Sequence, residues 1–179
     1  MKFAWLAGLI GIGLAGLSMS KLFDAAALGA ENPPQSLCVV DEHGEEHNIS
    51  DADLANLPRV KSKVTGHDNQ PAEYEGVRLS DLLQGQGITL GKELRGPRVA
   101  SYLLLEAEDG YRVVLAVAEV DPATTDKVVL LADRKNGAAL PDKEGPWRII
   151  IPDEKRPVRW IRMLKRIRIE SAVPSESPK

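Results

Sequence analysis

Two prolines, Pro146 and Pro152, bracket Trp147-Arg148-Ile149-Ile150-Ile151, and this pair of breakers constrains the fold more than any other segment. Neither end can be extended as helix interior or sheet ladder, so the β-branched run between them reads as a short buried strand. Arg148 alone interrupts its apolar character. A charge there has to reach solvent, pair, or serve a ligand, because burying it alone is expensive.

The same region gathers charge. From Gly145 to Ile169 there are eight basic residues against two acidic ones, a net +6 over 25 residues in a chain whose total is −3. Gathered charge calls for an anion or an acidic neighbour. After a turn at Asp153–Arg156, residues Trp160, Ile161, Met163 and Leu164 fit one helical turn. Ile167 and Ile169 then alternate with Arg166 and Arg168, which predicts a final strand.

The 179 residues are 43% hydrophobic and 27% charged, the balance of one ordinary globular domain. Aromatic residues make up only 4%, so the core is expected to be Leu, Val, Ile and Ala, and nucleic-acid binding on a base-stacking platform loses support. Met1 and Lys2 precede an uncharged apolar run, Phe3–Leu17, of the length of a secretory signal. It is shorter than the ~20 residues of a spanning helix, so residues 1–30 are read as a signal peptide, with an uncleaved anchor as the alternative. Cleavage after Ser20, Ala27 or Ala30 fits the small residues before each bond; the last leaves 21 basic and 25 acidic residues, a net −4. The expected location is periplasmic or secreted. Cys38 is the only cysteine and sits between apolar neighbours in SLCVV, so it is expected to be buried.

Residues 31–36, ENPPQS, have a linker's composition. Leu37–Val40 and His47–Ile49 read as two short strands around a turn at Gly44, and Ser50 with Asp53 forms a capping box for a helix over 51–56. Arg59–Thr65 reads as a half-exposed edge strand, 66–71 as a loop, and Tyr74–Leu79 as a strand entering a helical turn begun by Ser80. The Gly-rich 85–96 region is an irregular connector. Val99–Ala107 and Tyr111–Val117 flank an Asp109-Gly110 hairpin step, and Lys127–Ala132 is a further buried strand ended by Asn136-Gly137. The expected fold is α+β: mainly-β mixed sheets with short helices over 37–170, and a disordered tail at 171–179.

Five blocks, YEGVRLSDLL (74–83), EDGYRVVLAVAEV (108–120), VVLLADRKNGAALP (128–141), GPWRIIIP (145–152) and VRWIRMLKRIRI (158–169), occur in an order that resembles the oxidoreductase molybdopterin-binding domain of the sulfite oxidase superfamily. The resemblance covers Leu37 to Glu170 and implies a fold like the sulfite oxidase middle domain. In the enzymes of that family a cysteine thiolate ligates molybdenum from the segment before the YEGV-like block. This chain has Thr65, Gly66, His67 and Asp68 there, and no cysteine. Nor does the N-terminus carry the arginine pair with which folded, cofactor-loaded proteins are exported. The departures predict a relative without bound cofactor that is not a competent molybdenum oxidoreductase. A molybdopterin enzyme using His67 or Asp68 in place of the thiolate is the alternative.

The resemblance also implies that Tyr111, Arg148 and Arg159 lie in or near an anion-binding region, where a phenol and two guanidiniums could hold a small oxyanion or a pterin-like ligand. The plainer reading of Tyr111 is a packing residue beside a hairpin. The cations Arg156, Arg159, Arg162, Lys165, Arg166 and Arg168 could bind a pterin phosphate, an acidic partner protein or an anionic membrane face, or simply solvate the last element. An internal partner exists in the seven acids of Glu31–Leu57, a stretch without Lys or Arg. His43 and His47 flank Glu45 and Glu46, a mixture able to ligate a divalent metal but lacking a third fixed ligand, so no metal site is expected. Ser101, the best-placed strand serine, has no signature of a nucleophile.

Overall fold

A computed structural model describes residues 36–65 and 70–173, which fall in one compact unit. The expected signal segment, His67 and Asp68, and residues 174–179 lie outside the described residues.

One sheet has the order β2-β1-β10-β5-β6, built from β1 (Leu37–Val40), β2 (Glu46–Ile49), β5 (Ser101–Ala107), β6 (Arg112–Ala116) and β10 (Leu164–Ser171). The other has the order β3-β4-β7-β8, from β3 (Arg59–Thr65), β4 (Pro71–Arg78), β7 (Leu130–Lys135) and β8 (Ala138–Ala139), with β9 (Arg148–Ile150) also paired to β7. Among the described residues only β1 and β10 run parallel, at Cys38↔Arg166, Val39↔Ile167 and Val40↔Arg168; the other pairs are antiparallel. The sheets are therefore mixed, as the α+β reading expects. The helices are short: α1 (Asp51–Ala55), α2 (Leu79–Gly85) and α3 (Val117–Val120). Among the described residues no helix is long and apolar enough to cross a membrane.

Period-two alternation decides which faces are buried. In β5, Ser101, Leu103, Leu105 and Ala107 point inward, and in β6 Val113 and Leu115 do. Apart from Ser101, these residues join Val39, Ile167, Tyr74, Val77, Leu131 and Ile149 in a single apolar core fed by both sheets. Each fully buried Leu or Ile contributes roughly 1.5–3 kcal/mol. The capping box forms as its spacing predicts, with Ser50 N donating to Asp53 Oδ2 at 2.8 Å and Asp53 N to Ser50 Oγ at 3.3 Å. The Asn136-Gly137 turn closes the β7–β8 hairpin with both residues at positive φ, 52° and 81°. β3 is an edge strand, and its exposed Arg59 and Lys61 reach Glu73, Glu75 and Asp133, which blunts the edge with charge.

Three expectations need correction. Residues 96–100 form a 3₁₀ turn instead of the start of β5, because Gly96 takes φ 59° and Pro97 offers no ladder N–H. The strand read from Lys127 is β7 and starts at Leu130: the wholly buried Asp121 organises the preceding turn by accepting from the N–H groups of Gly91 and Ala123, and Lys127 N donates to Thr125 Oγ1. Trp160–Leu164 is not a helical turn. Met163 takes φ 51°, and the backbone here pairs at long range, Ile149 N to Ile161 O, Leu164 N to Trp147 O and Met163 N to Glu144 O. The apolar side chains Trp160, Ile161 and Leu164 are buried as their type requires, without helical geometry.

Candidate functional site

The β5–β6 hairpin turns at Glu108-Asp109-Gly110, where Gly110 takes φ 84° and Asp109 Oδ1 accepts from Tyr111 N at 3.0 Å. The next side chain, Tyr111, is half exposed, and its hydroxyl donates to the carbonyl of Val158 at 2.8 Å. Val158 lies in the 3₁₀ turn Pro157–Arg159. The hairpin is thus tied to the segment carrying Arg159.

Arg159 has its guanidinium occupied by two carboxylates. Nε donates to Glu154 Oε1 at 2.6 Å, Nη2 approaches the same oxygen at 2.5 Å, and Nη1 donates to Glu119 Oε2 at 2.9 Å. Burial works against the charge, but the bonds to Glu119 and Glu154 outweigh it and hold the guanidinium above its ordinary pKa. Glu154 Oε2 is buried without a partner. One cation against two carboxylates leaves this group at net −1, so a small anion arriving here has to displace a carboxylate already in place.

Arg148 belongs to a different group, on the other sheet. Its Nη1 donates to Tyr74 Oη at 3.2 Å and pairs with Glu144, while Lys135 Nζ reaches Glu144 Oε1 at 3.1 Å. The Lys135 and Arg148 cations each lie 5.5 Å from the centroid of the buried Tyr74 ring. Burial by itself pushes the Glu144 carboxyl up, but the bond from Lys135 and the charge of Arg148 bring it below its usual range. Lys135 is likewise raised by Glu144 and Tyr74 against its own desolvation. Within this group Arg148 Nε is a buried donor with no acceptor among the described residues.

Of the five residues expected from the sequence, the structure joins Tyr111 and Arg159 through one turn, assigns Arg148 to a separate carboxylate, and leaves His67 and Asp68 outside the described residues. Glu119, Glu144, Glu154, Tyr74 and Lys135 were not anticipated. A signal for two of them stood in the sequence, since Glu144 precedes Arg148 by four residues and Glu154 precedes Arg159 by five, each across a proline-containing turn. The remaining cations divide. Arg166 reaches Glu46 at 3.1 Å and Arg168 reaches Glu170 at 2.8 Å, whereas Arg156, Arg162 and Lys165 are exposed and carry no ion pair among the described residues. Cys38 is buried in β1 between β2 and β10, and desolvation pushes its thiol up.

This frame matches known proteins along most of its length. Residues 36–177 fit the family model described as oxidoreductase molybdopterin binding domain. Among solved structures, the sulfane dehydrogenase SoxCD from Paracoccus pantotrophus shares the fold, with a TM-score of 0.58 at 21% identity over 78% of this chain. The match spans 39% of the SoxCD chain, so this protein corresponds to one part of that larger molecule. No curated protein matches the sequence. With a two-sheet frame of this form and a family match over 36–177, the chain belongs to the oxidoreductase molybdopterin binding domain family.

Proposed function

We propose that this chain is an exported member of its family that works without a thiolate-ligated molybdenum, as a binding or accessory module for an acidic partner protein. The observation that carries the first half is the position of its only thiol. Cys38 is buried in β1 between β2 and β10, its strand is committed to ladder pairing on both sides, and desolvation pushes its pKa up, which disfavours the thiolate that a metal takes. The segment preceding the YEGV block offers no cysteine. The residues present therefore do not fit a thiolate-anchored molybdenum, and no redox step is assigned to them.

The division of the cations supports the second half. Arg148 and Arg159 are neutralised by internal carboxylates, while Arg156, Arg162 and Lys165 are exposed and carry no ion pair among the described residues. Uncommitted surface charge steers an oppositely charged partner and sets its register. A second reading, a small oxyanion bound at Arg148, is favoured by its buried Nε, a donor whose unmet hydrogen bond costs about 1–3 kcal/mol.

Elemental analysis of protein taken from its native compartment tests the first half: molybdenum far below stoichiometry is expected, and one equivalent per chain overturns it. Sulfate titration followed by tryptophan fluorescence separates the two ligand readings. Saturable binding lost in Arg148→Ala supports the oxyanion; no response, with binding to an acidic polypeptide lost on neutralising Arg162 and Lys165, supports the protein partner. Export is tested by N-terminal sequencing of the protein recovered outside the cytoplasm.

A further inference from the structure

The turn between β1 and β2 brings together three side chains that the sequence alone does not group. Asp41, Glu45 and His47 place one ligand atom each within 4.8 Å of one another. The arrangement follows from the hairpin. Asp41 N donates to Glu45 O at 3.0 Å, Gly44 N to Asp41 O at 3.1 Å, and the ladder pairs Val40 with Glu46 and Val39 with His47. Asp41 Oδ1 accepts from the N–H groups of His43 and Glu45, both at 2.8 Å, which fixes the carboxylate and leaves Oδ2 on the side of His47.

A separate observation concerns the imidazole. His47 Nε2 is a buried atom with no hydrogen-bond partner, and its nearest acid oxygen, Asp41 Oδ2, stands 3.6 Å away. That is too long for a hydrogen bond. It is, however, the separation of two ligand atoms on one ion: metal–ligand bonds of about 2.0–2.2 Å at tetrahedral angles hold neighbouring ligand atoms roughly 3.3–3.6 Å apart. The neighbouring acids are spoken for, since Glu46 pairs with Arg166 and Glu42 lies near His43 and Arg98. Asp41 and Glu45 remain to face the ring.

We propose that Asp41, Glu45 and His47 form a divalent-cation site at the β1–β2 turn, with one imidazole nitrogen and two carboxylate oxygens as ligands and water completing the shell. This donor set suits Zn2+, which takes nitrogen and oxygen at tetrahedral geometry, over Mg2+, which prefers oxygen alone in an octahedron. His43 is not part of it; its ring is exposed and directed to Glu42. The site stands apart from Tyr111 and Arg159 and does not depend on the proposed function of that region.

The test is a calorimetric titration of the full chain, stripped with chelator, with ZnCl2 in the presence of excess MgCl2. One equivalent of Zn2+ is expected to bind and to raise the melting temperature. His47→Gln and Glu45→Gln are each expected to weaken it at least as much as the ~10–100-fold lost with an outer-shell partner. Glu45 is exposed, so its variant reads the site even where His47→Gln disturbs the hairpin. No stoichiometric binding, or affinity unchanged in both variants, overturns the site.

Discussion

The phenol of Tyr111 donates a hydrogen bond of 2.8 Å to the backbone carbonyl of Val158, which ties the β5–β6 hairpin to the Pro157–Arg159 turn. Both side chains are about half exposed, at 51% and 56%. The bond therefore counts for positioning more than for stability.

Tyr111→Phe should lower global stability by no more than about 1 kcal/mol, the central value for a net hydrogen bond in water. Its effect should be local. Amide exchange at Trp160, whose N–H closes the turn on Pro157 O at 3.2 Å, should accelerate while exchange in β5 stays unchanged. Equal exchange at Trp160 in both proteins would refute the tie.

Glu144 holds two cations, Lys135 and Arg148, beside a buried phenol. Glu144→Gln removes the counter-charge and should cost about 1–3 kcal/mol, less than for a fully buried pair because all three side chains keep some solvent contact. The folded carboxyl titrates below its ordinary range, so its contribution is complete above the unfolded value near ~4.3 and disappears as pH falls through the lower folded value. Urea midpoints between pH 7 and 3 should converge for wild type and Glu144→Gln at the acid end. A constant gap across that range would show that the carboxylate does not carry the effect.

Gly76 occupies the irregular register between β4 and β7, where a Cβ would come within 2.6 Å of Ala132 Cα and closer still to the Leu131 carbonyl. Backbone on both sides cannot yield as a flexible side chain would, so Gly76→Ala should cost at least about 3 kcal/mol, the top of the usual overpacking range. Gly85→Ala is the control. It meets nothing within 4 Å at the end of α2 and should be neutral or slightly stabilising by denaturant titration.

Local chemistry made much of this protein legible without coordinates. The proline-bracketed strand, read over 147–151 and found at Arg148–Ile150, the Ser50/Asp53 cap, the Asp109-Gly110 and Asn136-Gly137 turns and the alternating last strand each follow from residues close in sequence, because caps, turns and alternation are short-range physics. The order of the five blocks carried the family, and the lone, apolar-flanked Cys38 carried its own burial. Tertiary structure decided the rest. A sequence shows that Arg148 and Arg159 are charged, but not that Glu144, Glu119 and Glu154 reach them, since an ion pair is made between side chains whose approach is set by sheet register and loop closure. The same holds for Trp160–Leu164, where long-range backbone partners override a helical pattern, and for Asp41, which joins Glu45 and His47 only once the β1–β2 ladder has fixed its register.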